Sequence, residues 1–261
     1  MTWQTLFTTP KPRIAALHLL PLPGSPKYQH SIDDIMSHAL TEAQRFEQAG
    51  FNAIIIENYH DIPFYPDNVA KITVASMAAI TQLLKQHINI PLGINVLRND
   101  AEASLAIAVA TNAAFIRVNV HMQPMVTEQG LLSGLSHETC RLRANLGAQV
   151  LILADAQVKH SAPLVDRSFA DELRDLSERG MADAIILSGA RTGLSVDLKL
   201  LQMARRYTDL PLIIGSGITP ENLNTLLPHA DGFIVGTCLK NHIKDMATDP
   251  HCIAKFQAVG A

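Results

Sequence analysis

The chain has 261 residues, 48% of them hydrophobic and 17% charged, with a net charge of −3. That composition suits a large buried core rather than disorder. With no long basic run, one Trp and four Tyr, neither charge nor an aromatic platform points to nucleic acid.

Residues 1–13 are polar and Pro-containing, without the apolar core of a signal peptide. From there one pattern recurs eight times: a short β-branched apolar run ending in polar or glycine residues, then a longer segment of helical periodicity. The first strand, 14–18, leads through a Pro-rich connection (19–31) to a helix over 32–48. Its Ile35, Ala39, Ala43 and Phe46 recur at spacings of three and four, and Gly50 is the stop. Strand 53–57 is followed by the connection 58–68 and a helix over 69–86. Strand 92–96 precedes a helix over 101–111. The most apolar stretch, 101–118, carries Glu102, Asn112 and Arg117, too broken for a membrane span. Any membrane association is then peripheral. Strand 115–119 opens a long connection, 120–136, and a short helix over 138–145 that ends before Gly147. Strand 150–155 precedes a helix over 169–179 stopped by Gly180. Strand 184–188 precedes a helix over 196–207 with Ser195 at its N-cap. Strand 212–215 precedes a helix over 220–227, where Thr219 at the cap and Pro220 at the first position form a start signal. Strand 232–236 is the eighth, and a last helix begins near Asn241.

Most of these strands are apolar throughout, as strands covered on both faces read. Regular alternation predicts a parallel sheet with right-handed crossovers. Eight units in a chain near the roughly 250 residues of a barrel predict one α/β domain over 1–261, a single (β/α)8 TIM barrel. An open doubly wound sheet is the alternative, but no GxGxxG follows the first strand. The long connections all follow strands, on the face where barrels keep their chemistry.

The sharpest chemical signal is Ile213-Ile214-Gly215-Ser216-Gly217-Ile218-Thr219-Pro220, a strand, a glycine turn and a helix start. One unit later comes Asp231-Gly232-Phe233-Ile234-Val235-Gly236-Thr237. Glycines let backbone N–H groups approach an anion, and the following helix aims its positive end there. Barrels commonly hold phosphate after strands seven and eight. Gly215, Ser216, Gly217, Gly236 and Thr237 are therefore the phosphate candidates. A third turn, Ser188-Gly189-Ala190-Arg191-Thr192-Gly193, adds Gly193. Read blandly, these glycines only make tight turns.

A barrel gathers its strand ends around one mouth. Here they supply His18, Glu57, Asn58, Asn95, Asn119, Asp155 and Ser188, and Arg117 shares the face of Asn119 by the period-two rule. Such residues are costly inside a barrel unless paired or ligand-bound. Glu57 ends an apolar run, and partial burial is expected to raise its pKa, making it the leading base. Asp155, Lys159 and His160 form a second cluster, with Lys159 as acid or electrostatic partner oriented by Asp155. Substrate contacts are assigned to His18, Asn58, Asn95, Arg117, Asn119, His160 and Ser188. No cofactor is expected. A divalent metal on His18, Glu57, His60, Asp155 and His160 stays open, although no His-x-His follows the first strand. The sixth strand carries no lysine for a Schiff base, and no CxxxCxxC exists for a radical cluster. Cys140, Cys238 and Cys252 form no CxxC pair and leave one odd, which suits a reducing cytoplasm.

Several of these stretches together resemble the BtpA/SgcQ family. They are Ala16-Leu17-His18-Leu19-Leu20-Pro21-Leu22-Pro23-Gly24-Ser25-Pro26, Ile56-Glu57-Asn58-Tyr59, residues 91–100, Phe115-Ile116-Arg117-Val118-Asn119, residues 155–160 with Pro163, and the glycine turns. The resemblance runs over nearly the whole chain. It implies a barrel related to phosphate-binding barrels and brings no settled reaction. Its best-known member is linked to photosystem I accumulation at photosynthetic membranes, and another sits in a sugar-utilisation gene cluster.

Three functions follow as expectations. The first is an enzyme (lyase, isomerase or hydrolase) acting on a phosphorylated small molecule, a sugar or nucleotide derivative. The second is a non-catalytic assembly factor of the kind linked to photosystem I biogenesis. The third is a metal-dependent hydrolase. Homo-oligomerisation through an exposed helix stays open.

Overall fold

In the computed structural model, which describes residues 1–189, 195–242 and 246–258, eight parallel strands close into a barrel. They are β1 (Arg13–His18), β2 (Ala53–Glu57), β3 (Leu92–Asn95), β4 (Phe115–Val118), β7 (Leu151–Ala156), β9 (Ala184–Leu187), β10 (Leu212–Ile214) and β11 (Gly232–Val235). The order around the barrel is β1-β11-β10-β9-β7-β4-β3-β2. Each strand lies within one or two residues of its expected place. The remaining strands, β5 (Met125–Thr127), β6 (Gly130–Leu132) and β8 (Ser161–Pro163), form a small antiparallel sheet in the order β6-β5-β8.

Alternation sorts the apolar side chains into two layers. Ile14, Ala16, Ala53, Ile55, Phe115, Leu151, Leu153, Ala184, Ile186, Ile213 and Ile234 fill the barrel. The residues between them, such as Ala15, Leu17, Ile54, Ile56, Ile116 and Ile185, pack outward against the helices. Trp3 and Phe7, on and just after the short helix α1 (Trp3–Leu6), join the inner cluster and plug the end where the strands begin. A Cβ on Gly232 would lie 2.7 Å from the Trp3 ring, so this residue is small because the plug sits on it. Gly93 faces Phe115 still more closely: a Cβ there would stand 2.0 Å from the ring.

The outer helices are α2 (Ile32–Gln48), α3 (Lys71–His87), α4 (Ala101–Thr111), α5 (Ser136–Asn145), α6 (Phe169–Arg174), α7 (Leu198–Ala204), α8 (Pro220–Leu226) and α9 (Pro250–Ala258). Ser31, Asp100, Ser168 and Thr219 cap α2, α4, α6 and α8 through their side chains. Three helices depart from expectation. The segment expected as one helix over 169–179 is α6 followed by a π-helical turn, Asp175–Arg179. The cap of α7 is Asp197, whose carboxylate accepts from Lys199 N–H, rather than Ser195. The last helix starts at Pro250, not near Asn241; Asp249 accepts from His251 N–H at 2.7 Å there, with proline at the first position. Among the described residues no helix is long and apolar enough to cross a membrane.

Candidate active site

The inner face that is apolar through the barrel turns polar at its last layer. Two residues beyond Ala16, Ile55, Gly93, Phe115 and Leu153 stand His18, Glu57, Asn95, Arg117 and Asp155. Registers His18↔Glu57 and Glu57↔Asn95 put three of them in one row. Gly93↔Phe115 carries that row to Arg117. Above them opens a cavity of about 870 Å³, lined also by Lys159, His160, Gly215, Ser216, Gly217, Gly236 and Thr237.

Arg117 is the centre of the array. Its Nε and Nη2 donate to the two oxygens of Asp155, both at 2.9 Å, and its Nη1 donates to Glu57 Oε1 at 3.4 Å. Asn95 donates to the same Glu57 oxygen at 2.9 Å, and Asn119 to Asp155 Oδ2 at 2.9 Å. Burial works against the guanidinium, but the two carboxylates outweigh it and hold Arg117 above its usual value. Asp155 thus spends itself on Arg117 and Asn119, and does not orient Lys159 by a direct bond as expected. Asn119 Oδ1 is left buried with no partner.

Glu57 Oε2 lies 3.7 Å from His18 Nε2. The other ring nitrogen, Nδ1, is 3.3 Å from Lys240 Nζ, and the ring stacks on Tyr59 with centroids 4.1 Å apart. A lysine ammonium can only donate, so Nδ1 is the acceptor and Nε2 carries the hydrogen. Burial, then the charges of Lys240, His60, Arg117 and Lys159, push the His18 pKa well below its usual value. His18 is therefore a neutral donor at neutral pH. A Cβ on Gly236 would sit 3.6 Å from Nε2; glycine leaves that approach open.

Lys159 reaches the site from the turn after β7. The small sheet holds this turn, with Val158 in its core beside Val120, Met125 and Leu132, and Ser161 beginning β8. Lys159 Nζ donates to Gly215 O at 3.3 Å, next to the glycine turns. Burial, aided by Arg117, draws its pKa down to about 8. Gly217 takes a left-handed φ of +68° and Asn222 donates to its carbonyl at 2.7 Å. Gly215 is forced by packing: a Cβ there would stand 2.4 Å from Ile186 and 2.7 Å from Ser188 Oγ.

Two expected contacts do not reach the cavity. Asn58 turns to the backbone: its Oδ1 accepts from Leu97 N–H at 2.7 Å and its Nδ2 donates to Asp61 at 3.2 Å. Ser188 lies buried beneath Gly215, its Oγ without a partner. Gly193, with Arg191 and Thr192 of the same turn, lies outside the described residues. Among the described residues no three of His, Cys, Asp and Glu converge as a metal group. The set His18, Glu57, His60, Asp155 and His160 is not such a group, because the carboxylates close on Arg117 and the imidazole on Lys240. Sequence reasoning missed Tyr59, Lys240 and Arg98; only their nearness to strand ends marks them.

A closed parallel barrel with charged side chains on the last inner layer and a cavity above them defines a TIM-barrel protein. At the level of fold it is similar to thiamine phosphate pyrophosphorylase from Pyrococcus furiosus, at TM-score 0.56 and 13% identity, covering 96% of this chain and 95% of that one. N-(5'-phosphoribosyl)anthranilate isomerase from the same organism aligns at TM-score 0.57 and 15% identity, over 95% and 98% of the two chains. The chain belongs to the BtpA family, whose model matches residues 9–258. It is similar to an uncharacterized protein of Pyrococcus abyssi, 47% identical over 88% of each chain. It is also similar to the photosystem I biogenesis protein BtpA of Synechocystis, 41% identical over 96% of this chain and 88% of that one.

Proposed function

We propose that the chain is an enzyme that moves a proton within a phosphorylated small molecule, as an isomerase or lyase. The observation that carries this reading is the confrontation, in one cavity, of Glu57 and His18 with Lys159 and the glycine turns. A phosphate sits against Ser216, Gly217, Gly236 and Thr237, beside the Lys159 ammonium; Gly215, expected among its donors, gives its N–H to Leu187 O at 2.8 Å and only leaves room. Glu57, pinned through Oε1 by Asn95 and Arg117, presents Oε2 as the base. His18 Nε2–H faces the same space and donates to the substrate oxygen on which charge develops. Asn119 Oδ1 awaits a donor such as a sugar hydroxyl. The thiamine phosphate and phosphoribosyl barrels share only the fold at their low identity, so the phosphate reading rests on this chain's own turns.

The test is a thermal-shift series with inorganic phosphate and phosphorylated sugars. A ligand at one hundred times its Kd adds about 2.7 kcal/mol, roughly 5–11 °C in Tm for a chain of this size. A binder is then incubated in D₂O, where the wild type exchanges a carbon-bound proton and Glu57→Gln does not. If no phosphorylated compound shifts Tm, the reading fails.

A second reading is carried by the name of the Synechocystis relative: a non-catalytic assembly factor of the kind linked to photosystem I biogenesis. It makes the buried polar array dispensable. Glu57→Gln and Lys159→Ala variants that fully complement a deletion strain would favour it.

A further inference from the structure

Across the mouth from the glycine turns lies a buried guanidinium that makes no ion pair among the described residues. Arg98 follows β3, and in the order around the barrel β3 and β10 stand four strands apart in either direction, directly opposite one another. Arg98 is 8% exposed and lines the cavity. Its Nη2 donates to Lys159 O at 2.6 Å, and its Nε is buried with no partner. Among the described residues it makes no ion pair. Arg117, buried to the same degree, is met by both Asp155 and Glu57. The acids whose charge acts on Arg98 make no bond to it: Asp155 is taken up by Arg117 and Asn119, Glu57 by Arg117 and Asn95, and Glu128 is exposed. A buried charge without a partner is costly, and a guanidinium offers a planar fork suited to carboxylate or phosphate.

We propose that Arg98 is a second anion subsite, so that the ligand is anionic at both ends. One end is the phosphate on the glycine turns, on which this inference rests. The other is a carboxylate or second phosphate on Arg98. Lys159 bounds the gap between them. Its carbonyl oxygen meets Arg98 and its Nζ meets Gly215 O, so one lysine, backbone to ammonium, spans both subsites. That path bounds the gap from above, and a chain of about five or six carbons falls within the bound. The ligand class is therefore a sugar bisphosphate or a phosphorylated sugar acid, with its middle carbons over Glu57 and His18.

Calorimetric titration of the full chain with matched probes tests this. One pair is fructose 6-phosphate against fructose 1,6-bisphosphate. The other is sorbitol 6-phosphate against 6-phosphogluconate. In the wild type the two-ended member of at least one pair binds tenfold or more tightly, and the pair that shows it identifies the second group. Arg98→Met removes that preference while changing affinity for the one-ended member less than threefold. Arg98→Lys, which keeps charge but not the fork, gives an intermediate preference and serves if the Met variant does not fold. Equal wild-type affinities within both pairs overturn the inference, as does a preference that survives both substitutions. In either case one-ended binding that persists leaves the phosphate reading standing; loss of all binding, inorganic phosphate included, removes both.

Discussion

Removing Arg117 takes away the cation bonded to both Glu57 and Asp155. Both carboxylates are buried, at 5% exposure each. Asp155 would lose a bidentate pair of 2.9 Å bonds and Glu57 a longer one. Breaking a buried ion pair from one side costs about 3–5 kcal/mol, because the other charge stays behind without compensation. For a chain of this length about 1 kcal/mol moves Tm by 2–4 °C, so Arg117→Met is expected to lower Tm by roughly 6–20 °C. The double variant Arg117→Met/Asp155→Leu removes one stranded charge. It should be more stable than the sum of the single effects by about 1–3 kcal/mol, since a buried pair replaced by apolar groups is often near neutral. Urea unfolding of the wild type, both singles and the double closes the cycle. If Arg117→Met costs less than about 1 kcal/mol, or the two single effects simply add, the three groups do not act as one electrostatic unit.

Lys159, with its pKa drawn down to about 8, binds fewer protons when folded than when unfolded between pH 8 and its ordinary value of 10.5. Stability should therefore rise with pH across that window. A Lys159→Met variant should gain up to about 3 kcal/mol on the wild type below pH 8 and lose the advantage above 10.5; urea titrations at pH 7 and pH 10.5 give the comparison. For His18, nitrogen NMR should find the neutral Nε2–H form with Nδ1 unprotonated, still neutral below pH 6.5. In Lys240→Met the tautomers should mix, and an unchanged spectrum would detach Lys240 from this role. Gly93→Ala drives a Cβ into the Phe115 ring and is expected to prevent folding or cost about 3 kcal/mol or more. Adding Phe115→Leu, which empties that space, should recover part of the loss, measured by Tm.

The barrel was legible because its strands are apolar on both faces and each is closed by a glycine or polar residue, so periodicity alone located them. The polar row was legible for a related reason. Glu57, Asn95 and Asp155 stand where an apolar inner face runs out, and parity from Asn119 reached Arg117. The same parity, applied at Asn58, argues against a cavity role: if Glu57 points inward, its neighbour points outward, and Asn58 does bond the Leu97 backbone. Ser188 defeats parity differently. It points inward but lies under Gly215, whose missing Cβ is what lets Ser188 and Ile186 pack there.

Arg98, Tyr59 and Lys240 were illegible because their positions depend on the course of connections, which no hydrophobic period records. The turn that delivers Lys159 passes through left-handed φ values at Gln157 and His160, +54° and +53°, and glutamine gives little warning of such a conformation. Strand parity therefore delivered the carboxylates and Arg117, while loop conformation delivered Arg98, Lys159 and Lys240. Three of those cations, Arg98, Lys159 and Lys240, each keep a link into the site through a backbone oxygen or an imidazole. Arg117 is matched by acids on the strands. On the strands the carboxylates of Glu57 and Asp155 share the one guanidinium of Arg117, and the connections bring the charges of Arg98 and Lys159 to the mouth. A neutral ligand offers Arg98 and Lys159 no charge; an anionic one, seated where the connections meet, meets both without disturbing the pairing below.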